Sequence, residues 1–163
     1  MVSLERLSAA LERLSEKLGM VLVGLFTLVV LAAVAFRYVL VMPLTWSEEV
    51  ARFAMVWVAF IAGSVALKRG EHVNVDVLLL AIRGARALGA VKLCVHLCMG
   101  WLLVILVWHG SRLVVASLAT TTPALGIALA WPYLGLPLGS LLMLVHVGTF
   151  LCRDIRQLTR PPK

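Results

Sequence analysis

Four long apolar stretches separated by charged connections constrain this chain more than any other feature. Residues 18–36 carry no charge, and 19 residues at a rise of about 1.5 Å give roughly 28 Å, close to the ~30 Å hydrocarbon thickness of a bilayer. Runs at 50–67, 88–111 and 132–152 follow, each long enough to cross as a helix that satisfies its own backbone groups. Transmembrane strands would alternate polar and apolar residues, and these runs do not. With 62% of the chain apolar and only 14% charged, little is left for a water-soluble core. The reading is an all-α membrane protein: one domain over 1–163, with four transmembrane helices at about 18–40, 45–68, 88–112 and 132–152.

Cytoplasmic connections retain Lys and Arg, whereas translocated ones are depleted of them. Arg6, Arg13 and Lys17 precede the first run; Lys68, Arg69, Arg83, Arg86 and Lys92 lie around the middle connection; Arg153, Arg156, Arg160 and Lys163 end the chain. Only Arg37, Arg52 and Arg112 fall on the other side, so both termini are expected in the cytoplasm and the number of spans is even. The net charge of +7 then reports topology and contact with anionic lipids, not nucleic acid.

Ala33-Val34-Ala35 resembles a cleavage site, but the apolar run is longer than the ~7–15 residues of a signal sequence, and what precedes it is long and charge-balanced. In that segment Leu4, Leu7, Leu11, Leu14 and Leu18 recur at alternating spacings of three and four, forming one helical stripe. Ser3 suits an N-cap and Glu5 the first turn. An amphipathic helix is expected, lying in the interface or docking a partner helix.

Chemistry concentrates between the first two runs, in Arg37, Trp46, Glu48, Glu49 and Arg52. Thr45 with Glu48 is a capping-box spacing, which starts the second helix there. Arg52 can reach Glu48 or Glu49 within one turn, and Arg37 can approach them across the hairpin. A central unpaired charge costs roughly 2.5–3.5 kcal/mol in a bilayer, less near its surface, so pairing is expected. The cluster reads as a salt-bridged hairpin, an inter-subunit contact, or an ion or proton site.

Ala59 with Gly63, Ala62 with Ala66, and Gly135 with Gly139 are small-xxx-small pairs that mark helix-contact faces, with Pro137 able to kink the last span and Pro132 suited to its first turn. Within 70–80, Asp76 can cap a short interfacial helix between the second and third spans. His72 and Asp76 lack companion ligands for a metal. Cys94 and Cys98 share a helical face from which His96 points away, so with Cys152 they read as free thiols acting as small hydrophobes. His96 and His146 fall at similar depth in antiparallel spans. They read either as buried, hydrogen-bonded neutral rings or as axial ligands of a haem.

Taken in order, Arg37-Tyr38, Trp46-Ser47-Glu48-Glu49 with Arg52, Trp57, Gly63, and His72-Val73-Asn74-Val75-Asp76 resemble the small DctQ-type membrane subunit of the tripartite ATP-independent periplasmic (TRAP) transporters. Trp131-Pro132-Tyr133 and Leu136-Pro137-Leu138-Gly139 with Met143 resemble that family's last span, while Ile82-Arg83-Gly84 departs from the proline-marked break expected after Asp76. The resemblance implies a non-catalytic subunit without cofactor or metal. Such a subunit braces a large DctM-type membrane subunit that takes up organic acids with sodium ions from a periplasmic binding protein, and His72, Asn74 and Asp76 form its family-motif loop. No span carries a central unpaired acid or an unwound middle, the usual marks of a substrate or coupling-ion site. A b-type cytochrome subunit and a small oligomeric exporter are the other readings of a four-span chain.

The charge asymmetry makes a direct prediction. A cysteine introduced at Thr121 reacts with membrane-impermeant maleimide from the periplasmic side, and one placed in 1–17 reacts only after the membrane is opened. The reverse pattern overturns the orientation.

Overall fold

The computed structural model describes residues 2–69 and 85–159. The elements are α1 (Val2–Tyr38), α2 (Ser47–Arg69), α3 (Ala85–Ala116), the short α4 (Ala130–Tyr133) and α5 (Gly135–Thr159). Four helices, the last running from α4 into α5, are long and apolar enough to cross a bilayer. The chain is an all-α membrane protein; among the described residues the only extended pairing is an isolated bridge between Thr121 and Ala128. The expected interfacial helix after Asp76 lies outside the described residues.

α1 differs from expectation in being one uninterrupted helix of 37 residues, about 55 Å long, so its amphipathic segment continues the span. The leucine stripe is not the packed face: Leu7, Leu14 and Leu18 are about half exposed, while Ser8 and Ser15 are buried, as is Gly19. Small residues let the backbones approach, whereas a leucine seam would hold them apart. α1 ends at Tyr38, and Pro43 keeps Met42, farther along the turn, out of helical geometry. Its last carbonyls are closed by Leu40 N–H to Ala35 O at 3.2 Å and Met42 N–H to Phe36 O at 2.9 Å. The turn carries Val41 at φ 52°, a left-handed conformation that is costly for a β-branched residue.

α5 is the hub. It packs extensively on α3 and on α2, α2 packs on α1, and α1 reaches α5 less extensively. The core consists of Leu67, Leu103, Met143 and Val147, flanked by Phe60, Met99, Leu106, Leu144, Phe150 and Leu151. Glycines set the spacing at these contacts. A Cβ at Gly139 would fall 2.4 Å from Phe60 Cβ, one at Gly63 2.8 Å from Met143 Cε, and one at Gly135 within 3.5 Å of Trp57. On the α3 side, a Cβ at Gly110 would meet Leu136 at 2.7 Å. Ala59, by contrast, is exposed on the edge of this seam.

Pro137 acts near its helix start. Lacking an N–H, it leaves the Tyr133 carbonyl without its helical donor, and the break between α4 and α5 falls at Leu134. Hydrogen bonds from Leu134 N–H to Ala130 O and Leu138 N–H to Leu134 O carry the helical direction across that break.

The glycine contacts predict an asymmetry. Gly139→Ala forces α2 and α5 apart and lowers the thermal midpoint in detergent by the equivalent of about 1–3 kcal/mol, as overpacking does. Gly148→Ala, with nothing within 4 Å of its added methyl, leaves the midpoint unchanged or raised.

Candidate functional site

The charged hairpin lies where the carboxyl end of α1, the amino end of α2 and the α3–α5 connection converge. α2 begins at Ser47, whose Oγ donates to Leu44 O at 2.7 Å. Among the described residues Thr45 makes no side-chain cap, and the carboxylate half of the expected capping box is turned elsewhere: Arg37 Nη2 donates to Glu48 Oε1. Both partners of that pair are more than half exposed, so on its own it is worth about 0–1 kcal/mol.

Glu49 has a different role. Its residue is only 8% exposed, and its two carboxylate oxygens accept Ala124 N–H at 3.0 Å and Leu125 N–H at 3.1 Å. Those amides sit at the tip of a tight turn. Thr122 N–H bonds Ile127 O at 2.8 Å, Leu129 N–H bonds Thr120 O at 2.9 Å and Gly126 N–H bonds Thr122 O at 3.0 Å, with Gly126 at φ 66°. The turn leaves two successive N–H groups pointing outward, a small anion-holding concavity, and Glu49 fills it. The Thr122 hydroxyl lies beside the same carboxylate but is buried without a partner of good hydrogen-bond geometry. Such charge-assisted bonds are stronger than those between neutral groups.

The expected pairing of Arg52 with Glu48 or Glu49 is not what the structure has. Arg52 is exposed and makes no ion pair within 4 Å among the described residues; it acts on Glu49 only through its field. Each carboxylate is already turned to another partner. Trp46, 39% exposed, projects from the same end. His72, Asn74 and Asp76 lie outside the described residues.

A second set of polar contacts ties the opposite, basic end. Arg69 Nη2 donates to Glu16 Oε1 at 2.7 Å, and its Nε stands 3.6 Å from Glu12, which joins α2 to the amphipathic part of α1. The fully buried His146 meets Ser8 Oγ through Nδ1 at 2.8 Å. His96 Nδ1 meets Asp154 Oδ2 at 2.6 Å, and its ring lies 5.2 Å from that of Phe150. The two histidines therefore belong to separate contacts, one facing α1 and the other the last turns of α5. Cys94, Cys98 and Cys152 are free thiols, and no cluster of three metal-ligating side chains occurs among the described residues.

Sequence reasoning did not find the contacts of Ser8, Glu12, Glu16 and Asp154, nor the amides of Ala124 and Leu125. Asp154 is the only acid after the hairpin and middle connection, and antiparallel pairing of the last two spans could have set it against His96. Backbone amides carry no residue signature at all.

Comparison with known proteins adds the family. The profile described as "Tripartite ATP-independent periplasmic transporters, DctQ component" matches residues 26–157. The chain is 26% identical over 145 residues to the sialic acid TRAP transporter small permease protein SiaQ of Vibrio cholerae, covering 87% of this chain and 82% of that one. It is 30% identical over 113 residues to the isethionate TRAP transporter permease protein DctMQ of Oleidesulfovibrio alaskensis, covering 68% of this chain but only 18% of that longer one. A third match, to the sialic acid TRAP transporter permease protein SiaT of Haemophilus influenzae, is 37% identical over 68 residues, 42% of this chain and 11% of that one. With four apolar helices and this match across most of its length, the chain belongs to the DctQ component family of the TRAP transporters, and is a multi-pass inner-membrane transporter subunit, not an enzyme.

Proposed function

We propose that this subunit braces a larger transport subunit in a sodium-coupled system for organic acids fed by a periplasmic binding protein, with both of its termini in the cytoplasm. The observation that carries the bracing role is the hairpin end. There, Glu49 and the Arg37–Glu48 pair are spent on holding the chain's own elements together, while Trp46 and Arg52 remain exposed beside them. A rigid platform with an outward aromatic and an outward cation is suited to anchoring a protein surface at membrane depth. The relatives support the same reading: in the isethionate permease the matching stretch is a small part of a much longer chain, whose remainder is the kind of partner this subunit would brace. The substrate class and sodium coupling come from the family resemblance. Anionic lipids around the basic end complete the proposed surroundings.

Two variants separate bracing from folding. Trp46→Ala and Arg52→Ala leave the thermal midpoint of the isolated subunit within about 0.5 kcal/mol, as surface changes do, yet reduce co-purification of the large subunit and uptake together. Normal assembly and uptake in both variants would remove the interface from this end.

Glu49→Gln removes the charge and leaves one of the two backbone N–H groups facing an amide NH2 that cannot accept it. Amide exchange at Ala124 and Leu125 accelerates about tenfold or more, and assembly weakens. Because the partners of Glu49 are backbone amides, changes at Arg37 or Arg52 do not restore it. By contrast, the exchange Arg37→Glu with Glu48→Arg retains the ion pair and the hairpin. Rescue of Glu49→Gln by an arginine substitution would contradict this assignment.

A further inference from the structure

α2 and α3 do not close against each other along their length; both lean on α5 and leave an apolar groove of about 270 Å³ between them. Its walls include Ala59, Gly63 and Leu67 from α2 and Met99, Leu102 and Leu106 from α3, and Met143 of α5 forms part of the floor. A transmembrane helix is 10–12 Å across with its side chains and does not fit such a volume, whereas a single hydrocarbon chain does.

At the basic end the groove changes character. Lys68 follows Leu67 on one wall, with its ammonium 5.9 Å from the centre of the Phe150 ring. On the other wall Lys92, His96, Met99, Leu103 and Leu106 recur at helical spacing along one stripe of α3, which carries Lys92 toward the same mouth. Both lysines are half-buried, and neither has a carboxylate within 4 Å among the described residues. Among the described residues the acids of this end are engaged: Asp154 by His96, and Glu12 and Glu16 by Arg69. An apolar groove whose mouth carries two ammonium groups without a carboxylate partner among the described residues is complementary to one class of molecule.

We infer that the α2–α3 groove is a binding site for an anionic phospholipid, with an acyl chain lying along Gly63, Leu67 and Met99 and the phosphate held between Lys68 and Lys92. The lysine stems cover the mouth while their charges reach the headgroup region, as snorkelling cations do. The site rests on the membrane-spanning reading alone and not on the proposed bracing role. In structural terms, the lipid supplies a wall that α2 and α3 lack between themselves.

Native mass spectrometry of the full chain with defined lipids tests this. Dioleoyl phosphatidylglycerol is retained in preference to dioleoyl phosphatidylcholine. Lys68→Ala and Lys92→Ala each lower that preference about fivefold, the effect of one basic residue near an anionic surface, and the double variant abolishes it. Ala59→Trp fills the groove and displaces both lipids, with circular dichroism confirming the fold. In membranes, p-benzoylphenylalanine in place of Leu102 crosslinks to phospholipid. Equal retention of the two lipids by the parent chain overturns the site, as does an undiminished preference in the double lysine variant. A crosslink to residues 70–84 or to another polypeptide, with no lipid adduct, also overturns it.

Discussion

Between helices in a bilayer there is no water to expel, so lipid-facing and helix-facing hydrocarbon are nearly equivalent and association depends on how closely backbones can approach. The described contacts of α5 are arranged around that condition. Gly135 and Gly139 admit Trp57 and Phe60 of α2, Gly63 admits Met143, and Gly110 admits Leu136. Exposed leucines and valines over much of the remaining surface need no partner other than lipid, while the small-residue contacts cannot be loosened without losing the dispersion energy that holds the layer together.

Close packing alone does not specify how helices are joined at their ends, and here polar contacts take over. At one end the Glu49 carboxylate organises a turn 75 residues away in the chain, and Arg37 reaches Glu48 across the hairpin. At the other, Arg69 with Glu12 and Glu16, Ser8 with His146 and His96 with Asp154 join four helices through side chains of low exposure or at the rim. A polar group at this depth has few alternatives to its designated partner, so these contacts select one register among many that apolar surfaces would tolerate.

The spans themselves were legible, because a run such as 18–36 without a charge has essentially one low-energy fate in a cell, and the hairpin between Tyr38 and Ser47 was marked by Pro43 and its charges. The contacts of the hairpin were less so. Arg52 stands at ideal helical spacing from both carboxylates, and spacing alone cannot reveal that Glu49 prefers two amides supplied by residues 124 and 125. The leucine stripe of α1 marked the face turned away from the bundle: periodicity identifies a face, but in lipid the packed face within the chain is the one with the smallest side chains, here Ser8, Ser15 and Gly19. The Ser8–His146 bond joins residues 138 positions apart and has no local signal.

The unbroken length of α1 has a mechanical meaning. A continuous helix of about 55 Å, pinned near its start by Ser8, Glu12 and Glu16 and near its end by Arg37, is a lever with a clasp at each extremity. A rotation of about 5° about one clasp would carry the other through about 3–4 Å, more than half a helical turn. A shift imposed on one face of the membrane would thus arrive at the other as a displacement large enough to change which side chains meet.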